Sequence, residues 1–262
     1  MEQTNIAPGA APAKTVVTAK LPSFSDLFQR TLKMYEVLFR KAVTLSLISA
    51  LAIIPFTVVV FFLGLAGGQA VAVKMLLVLL LVASIAFVVY LASTVQAATL
   101  LLLEDGSRSV RELLNKGIVL AWPVIIVGFL TGLFTLFWAL LLIIPGIIFS
   151  VYYSFSTYAL VYEKQTGMAA LKRSQQLVKN YWWAVVARTV YLGLVYLAVF
   201  LVVSLPLFIL PENSALAIFW NMILSALRFI TNPIFIIFTY LIFKELVNIK
   251  GSILKDAAQK TV

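Results

Sequence analysis

Residues 140–153 read LLLIIPGIIFSVYY, inside a stretch from Gly117 to Tyr162 that holds no Asp, Glu, Lys or Arg. Wound as one α-helix at 1.5 Å per residue, residues 118–162 would extend about 68 Å, against roughly 30 Å for a bilayer's hydrocarbon core. Such a stretch has to fold back. Pro145 is the predicted break, because proline has no amide to continue the hydrogen-bond ladder, and Gly146 beside it adds backbone freedom. The expectation is a tight hairpin of two membrane segments, 118–144 and 146–162. The second is near the lower length limit for a span, so a re-entrant segment is the alternative for it.

Working outward, composition names the solvent. Hydrophobic residues make up 63% of the chain and charged residues 11%, whereas soluble domains run at roughly 45–50% and 25%. The chain therefore reads as an all-α, polytopic membrane helix bundle with six transmembrane helices and cytoplasmic amphipathic interfacial helices. The spans fall at about 42–64, 75–103, 118–144, 146–162, 182–210 and 216–243, the last two separated by a turn around Pro211-Glu212-Asn213. Residues 1–22, rich in Ala, Pro and Thr without periodicity, are expected to form a disordered cytoplasmic tail. Residues 23–245 form the membrane domain and 246–262 a second cytoplasmic tail. The first apolar stretch begins near Ala42, too late for the apolar region of a cleavable signal peptide.

Charge placement tests the count. With the N-terminus inside, the predicted cytoplasmic segments hold seventeen Lys and Arg. The outer loops hold only Lys74, and Arg188 and Arg228 fall within spans. The expected location is the plasma membrane, and that bias places both termini in the cytoplasm. It also explains the net charge of +10, so no nucleic acid is expected as a partner.

The chain has no Cys and no His. Thiolate nucleophiles, disulfides and Fe–S ligation are excluded, and the usual general base and commonest transition-metal ligand are missing. No catalytic, cofactor-binding or metal-binding residue is predicted, and no cofactor. No Asp or Glu lies within a predicted span, which argues against a carboxylate-driven proton or sodium pump.

Three segments resemble one another: LFQRT at 27–31, LLNKG at 113–117 and ALKRS at 170–174. Each carries a basic residue (Arg30, Lys116, Arg173) followed by a small one, and each precedes an apolar span. They predict three units, starting near residues 23, 107 and 166, each an interfacial helix followed by a membrane hairpin. Convergence of interfacial helices on one physical pattern is the alternative to true repetition. In the first unit Phe24, Leu27, Phe28, Thr31, Tyr35 and Leu38 recur at helical spacing, an apolar side set against basic groups that would meet anionic headgroups. In the third, Thr166 is placed to cap a helix over 167–180.

Residues 142–183, LIIPGIIFSVYYSFSTYALVYEKQTGMAALKRSQQLVKNYWW, carry a more specific pattern. Pro-Gly precedes an aromatic-rich span ending in Glu, then an Ala-Leu-basic-basic-Ser-x-x-Leu-x-Lys helix and a Trp. This resembles the multi-pass membrane domain named for its fusion to some glycerophosphodiester phosphodiesterases, and related uncharacterised prokaryotic membrane families. The positions that fit are Pro145, Gly146, Glu163, Ala170, Leu171, Lys172, Arg173, Ser174, Leu177, Lys179 and Trp183. Such proteins often carry Arg shortly after Pro-Gly, where this chain has Val151-Tyr152-Tyr153, and Gly where it has Asn180. An activity resting on that Arg would be absent here. The resemblance implies a bacterial or archaeal membrane module. The phosphodiesterase chemistry belongs to a separate soluble domain with catalytic histidines, so that activity is not expected.

Two arginines remain as candidate ligand or lipid contacts. Arg228 falls near the middle of the sixth span, where a charge costs roughly 2.5–3.5 kcal/mol on insertion scales. No acidic partner lies in any span; carbonyls freed near Pro206 or Pro233, the side chains of Gln96, Asn221 or Asn232, or a lipid phosphate are the available acceptors. Arg188 lies close enough to the interface to snorkel toward it. Glu163 is expected to pair with Lys164 or Lys172. Tyr152, Tyr153, Tyr158 and Tyr162 include interfacial anchors, and Ser84, Ser93, Thr94, Gln96 and Thr99 are expected to serve helix packing. The functional expectation is a non-enzymatic membrane protein that supports or scaffolds envelope components through its basic interfacial helices, contacting anionic lipid headgroups or a protein partner. The alternative is a lipid- or small-anion-handling, transporter-like protein with a mid-membrane Arg site.

Overall fold

A computed structural model describes residues 20–68, 70–211 and 214–259, with side chains as far as Ser252. The tail expected over 1–22 lies outside the described residues up to Ala19, as do Glu212 and Asn213 of the last turn. Every regular element among the described residues is helical. In chain order they are α1 (Phe24–Leu51), α2 (Ile53–Leu65), α3 (Val71–Glu104), α4 (Val110–Leu141), α5 (Ile143–Tyr153), α6 (Ser156–Glu163), α7 (Gly167–Val178), α8 (Trp182–Ser204), a short 3-10 helix (Leu205–Phe208) and α9 (Ala215–Gln259). Six helical stretches are long and apolar enough to cross a membrane: Phe24–Leu65, Val71–Glu104, Val110–Leu141, Ile143–Glu163, Trp182–Phe208 and Ala215–Ser252. The chain is a multi-pass, all-α membrane protein.

The hairpin predicted from the uncharged run is present, with its break displaced. Leu142 is extended (φ −159°, ψ 136°) and α5 starts at Ile143. Pro145 therefore sits inside the first turn of α5, where the amide it lacks would have no intrahelical partner. Gly146 serves a different end from the freedom expected of it. A Cβ there would stand 2.7 Å from the Cα of Ala139, so its missing side chain lets α4 and α5 touch backbone to backbone. The run breaks a second time at Ser154–Phe155, making three helices of the predicted two.

Of the three expected interfacial helices only α7 is separate. The other two run without interruption into their spans as α1 and α4: nothing stands between Lys41 and Ala42, and Gly117, between Lys116 and Ile118, is helical and packed against α3. Ser23 and Ser109 cap them by accepting from the amides of Asp26 and Glu112, while Thr166 at the start of α7 makes no side-chain cap. The segment 246–259, expected as a tail, continues α9 as helix.

The three pentads share one arrangement. Their first residues, Leu27, Leu113 and Ala170, are buried one helical turn before buried Thr31, Gly117 and Ser174. The basic fourth residue is ion-paired each time: Arg30 to Asp26 and Glu245, Lys116 to Glu112, Arg173 to Glu163. The i, i+4 spacing puts the buried pair on one face and the charge beside it. At Gly117 the approach is closest, since a Cβ would lie 2.5 Å from the Thr94 carbonyl oxygen on α3. Ser84, Ser93, Thr94 and Thr99 are buried, with Thr94 and Thr99 bonded to their own helix, whereas Gln96 is exposed.

Candidate functional site

The motif of residues 145–183 explains itself largely as carpentry. The α5–α6 break leaves the Phe155 amide without a helical acceptor. Ser174 of α7, fully buried, accepts from that amide (3.0 Å) and donates to the Tyr152 carbonyl (2.6 Å). Ala170, Leu171 and Leu177 face the core. Arg173 grips Glu163 with two parallel bonds (Nε to Oε2 2.5 Å, Nη2 to Oε1 2.7 Å), fixing α7 to the end of α6. The partner is thus Arg173, and not Lys164 or Lys172 as expected. Those bonds hold the Arg173 guanidinium above its usual range. Asn180 has φ 76°, a left-handed conformation that Gly enters freely and Asn tolerates better than most residues. The Asn180 departure from the resembled pattern therefore preserves what the turn demands.

Tyrosines expected as interfacial anchors point inward. Tyr158 and Tyr153 are buried, Tyr158 donates to the Ile236 carbonyl (3.2 Å) and Tyr162 to the Leu100 carbonyl (2.6 Å). A buried tyrosine hydroxyl needs a hydrogen-bond partner, and a backbone carbonyl supplies it here. What remains of the motif after packing is accounted for is Lys172, Lys179 and Trp183, all exposed.

Arg188 does not reach for the surface. Its guanidinium donates to the carbonyls of Leu21 and Pro22, both at 2.8 Å, and to Ala184 of its own helix at 2.8 Å. It pins the residues before α1 against α8, beside the ring contact of Phe24 with Tyr191. With three acceptors engaged, it is a structural clamp and a poor candidate for ligand contact.

Arg228 is the opposite case. It lies roughly 20 Å of helix axis from Ala215 and roughly 24 Å from Lys244. Its guanidinium carbon stands 5.4 Å from the centre of the Phe200 ring on α8, a cation–π contact. No carboxylate and no hydrogen-bond acceptor among the described residues engages the guanidinium. It opens instead into a groove of about 420 Å³ between α1, α8 and α9, with Ser46, Ser49, Tyr196, Ser225 and Asn232 on its walls. The structure brings Arg228 and Asn232 together and keeps Arg188, Gln96 and Asn221 away from the groove. Sequence reasoning missed Ser46, Ser49, Tyr196 and Phe200. Ser46 and Ser49 had a signal, two serines about one turn apart in an apolar span that also holds Thr44 and Thr57; the other two had none. The family-model scan, the search of curated proteins and the search of solved structures each returned no match.

Proposed function

We propose that this protein is a non-enzymatic membrane protein that holds an anionic lipid or small anion against Arg228 within the helix bundle. One observation carries the reading: an exposed guanidinium far from both ends of its helix, with five donors and no acceptor among the described residues, opens into a groove walled by hydroxyls and an amide. In low-dielectric surroundings an unpaired charge is costly, and an anion bound there removes that cost. The absence of Cys and His from the chain supports a binding role over a catalytic one. The resemblance of residues 142–183 to a phosphodiesterase-associated membrane domain supports a membrane module and no hydrolase activity.

The test is native mass spectrometry of gently solubilised protein, wild type beside Arg228→Leu, with co-purified masses identified. The expected result is a specific anionic species on the wild type that is lost from a folded Arg228→Leu protein. Identical bound masses on both folded proteins overturn the reading.

A second reading, a scaffold for envelope components in the plasma membrane of a prokaryote with both termini cytoplasmic, draws on a different observation. Lys33, Arg40, Arg111 and Lys164 are exposed and their side chains make no ion pair or hydrogen bond among the described residues. A stoichiometric protein partner retained equally by wild type and Arg228→Leu favours that reading.

A further inference from the structure

The motif residues that packing leaves unexplained are not scattered. Lys172, Gln175, Gln176 and Lys179 of α7 and its C-terminal end line a polar depression of about 440 Å³ whose far wall is Tyr152 of α5. Tyr152 also closes one end of a second depression of about 380 Å³, lined by Ile144, Ile147, Ile148, Trp182 and Trp183. The two share Tyr152 as a wall, which makes the pair a candidate cleft, cationic and amide-lined on one side and apolar on the other.

We propose that this cleft binds one anionic phospholipid, with the phosphate between Lys172 and Lys179 and an acyl chain along Ile144, Ile147 and Trp183. Neither ammonium has a partner among the described residues, and Arg173 between them is already committed to Glu163. Lys250 brings a further positive charge, its Nζ 3.2 Å from the Lys179 carbonyl. Gln175 and Gln176 supply neutral donors for phosphate oxygens. The apolar half fits a chain: Ile144 is 72% and Trp183 78% exposed, while Trp182 is held by its indole N–H on the Ile148 carbonyl (3.2 Å), making a fixed wall. A free phosphate accounts for the polar half alone. The Ile–Trp trough joined to it selects a lipid. The site shares no residue with the Arg228 groove and stands whether or not that groove holds a ligand.

The test uses full-length protein in bilayers containing a trace of phosphatidylglycerol with a photoactivatable group in its acyl chain, and crosslinked peptides mapped by mass spectrometry. Labelling is expected at residues 144–152 and 182–183. It falls about thirtyfold in Lys172→Gln/Lys179→Gln, each lysine making the contribution typical of a basic residue near an anionic headgroup. It returns in Lys172→Arg/Lys179→Arg and is unchanged in Arg228→Leu. Gln175→Glu/Gln176→Glu, which sets negative charge in the polar half without touching a packed residue, lowers it as well. Three results overturn the proposal: labelling unchanged in the folded Lys-to-Gln protein, equal labelling by the matching phosphatidylcholine probe, or suppression by an excess of inorganic phosphate, which would mark a free-anion site.

Discussion

At the scale of single residues, some buried polar side chains serve places where a helix breaks. Ser174 is the clearest instance, because it bridges the Phe155 amide and the Tyr152 carbonyl across the α5–α6 break. In Ser174→Ala both backbone groups lose their partner inside the bundle, at a cost of about 1–3 kcal/mol. Thermal unfolding in detergent should show that loss, while Ser150→Ala, whose exposed hydroxyl bonds only its own helix, changes stability by less than about 0.5 kcal/mol. A Ser174→Ala protein as stable as the wild type would remove the bridge from the list of what holds α7 in place. The two intramembrane arginines show why residue identity alone is ambiguous. Both were conspicuous in sequence, yet Arg188 is engaged by three carbonyls, and the Arg228 guanidinium meets no acceptor among the described residues. Their difference lies in which neighbours arrive, and those neighbours come from residues 21–22 and from α1, far away along the chain.

At the scale of helices, two glycines set how closely pairs approach. Gly117 lets α4 rest on the Thr94 carbonyl of α3, and Gly146 lets α5 rest on Ala139 of α4. In a bilayer, where lipid tails are as apolar as Leu, this contact of backbones is a main source of helix association. Gly117→Ala and Gly146→Ala each insert a methyl into backbone, which cannot rotate away, and should cost about 1–3 kcal/mol. Gly128→Ala meets nothing within 4 Å and should be neutral or stabilising by up to about 1 kcal/mol, the helix propensity gained. Denaturation by titrated SDS compares the three; equal midpoints for all would refute the close-approach explanation. The displaced hairpin break belongs to this scale too. Proline fits a first turn without losing a bond, and α4 and α9 carry Pro123 and Pro233 in their interiors, so Pro145 alone does not say on which side of it the chain turns.

At the scale of the whole molecule, contacts link the basic segments. Arg30 reaches Glu245, Lys41 donates to the carbonyls of Gly106, Ser107 and Arg108, and Lys250 donates to that of Lys179. If these segments share one membrane face, as the charge bias implies, single cysteines introduced into the cysteine-free chain report it directly. Lys33→Cys, Arg111→Cys and Lys172→Cys should all react with a membrane-impermeant thiol reagent in inside-out vesicles and be protected in right-side-out ones. Lys74→Cys should do the reverse. Any one of the first three reacting with the Lys74 pattern would break the six-span topology.

Composition, the uncharged run and the spacing of basic residues were enough to read an all-α membrane bundle with six span-length apolar stretches, because burial in hydrocarbon imposes a length and a polarity that each span must show by itself. The pentads, too, were legible as a recurring pattern, and the structure gave each the same buried pair and paired charge. What depended on tertiary structure was every partner: Arg173 for Glu163, Leu21 and Pro22 for Arg188, Phe200 for Arg228, Ser174 for the broken helix, and Tyr152 as the joint of an amphipathic cleft. Hydropathy is a property of a segment and survives in one dimension. Hydrogen bonds and ring contacts between distant helices depend on rotation and crossing, which no local spacing records.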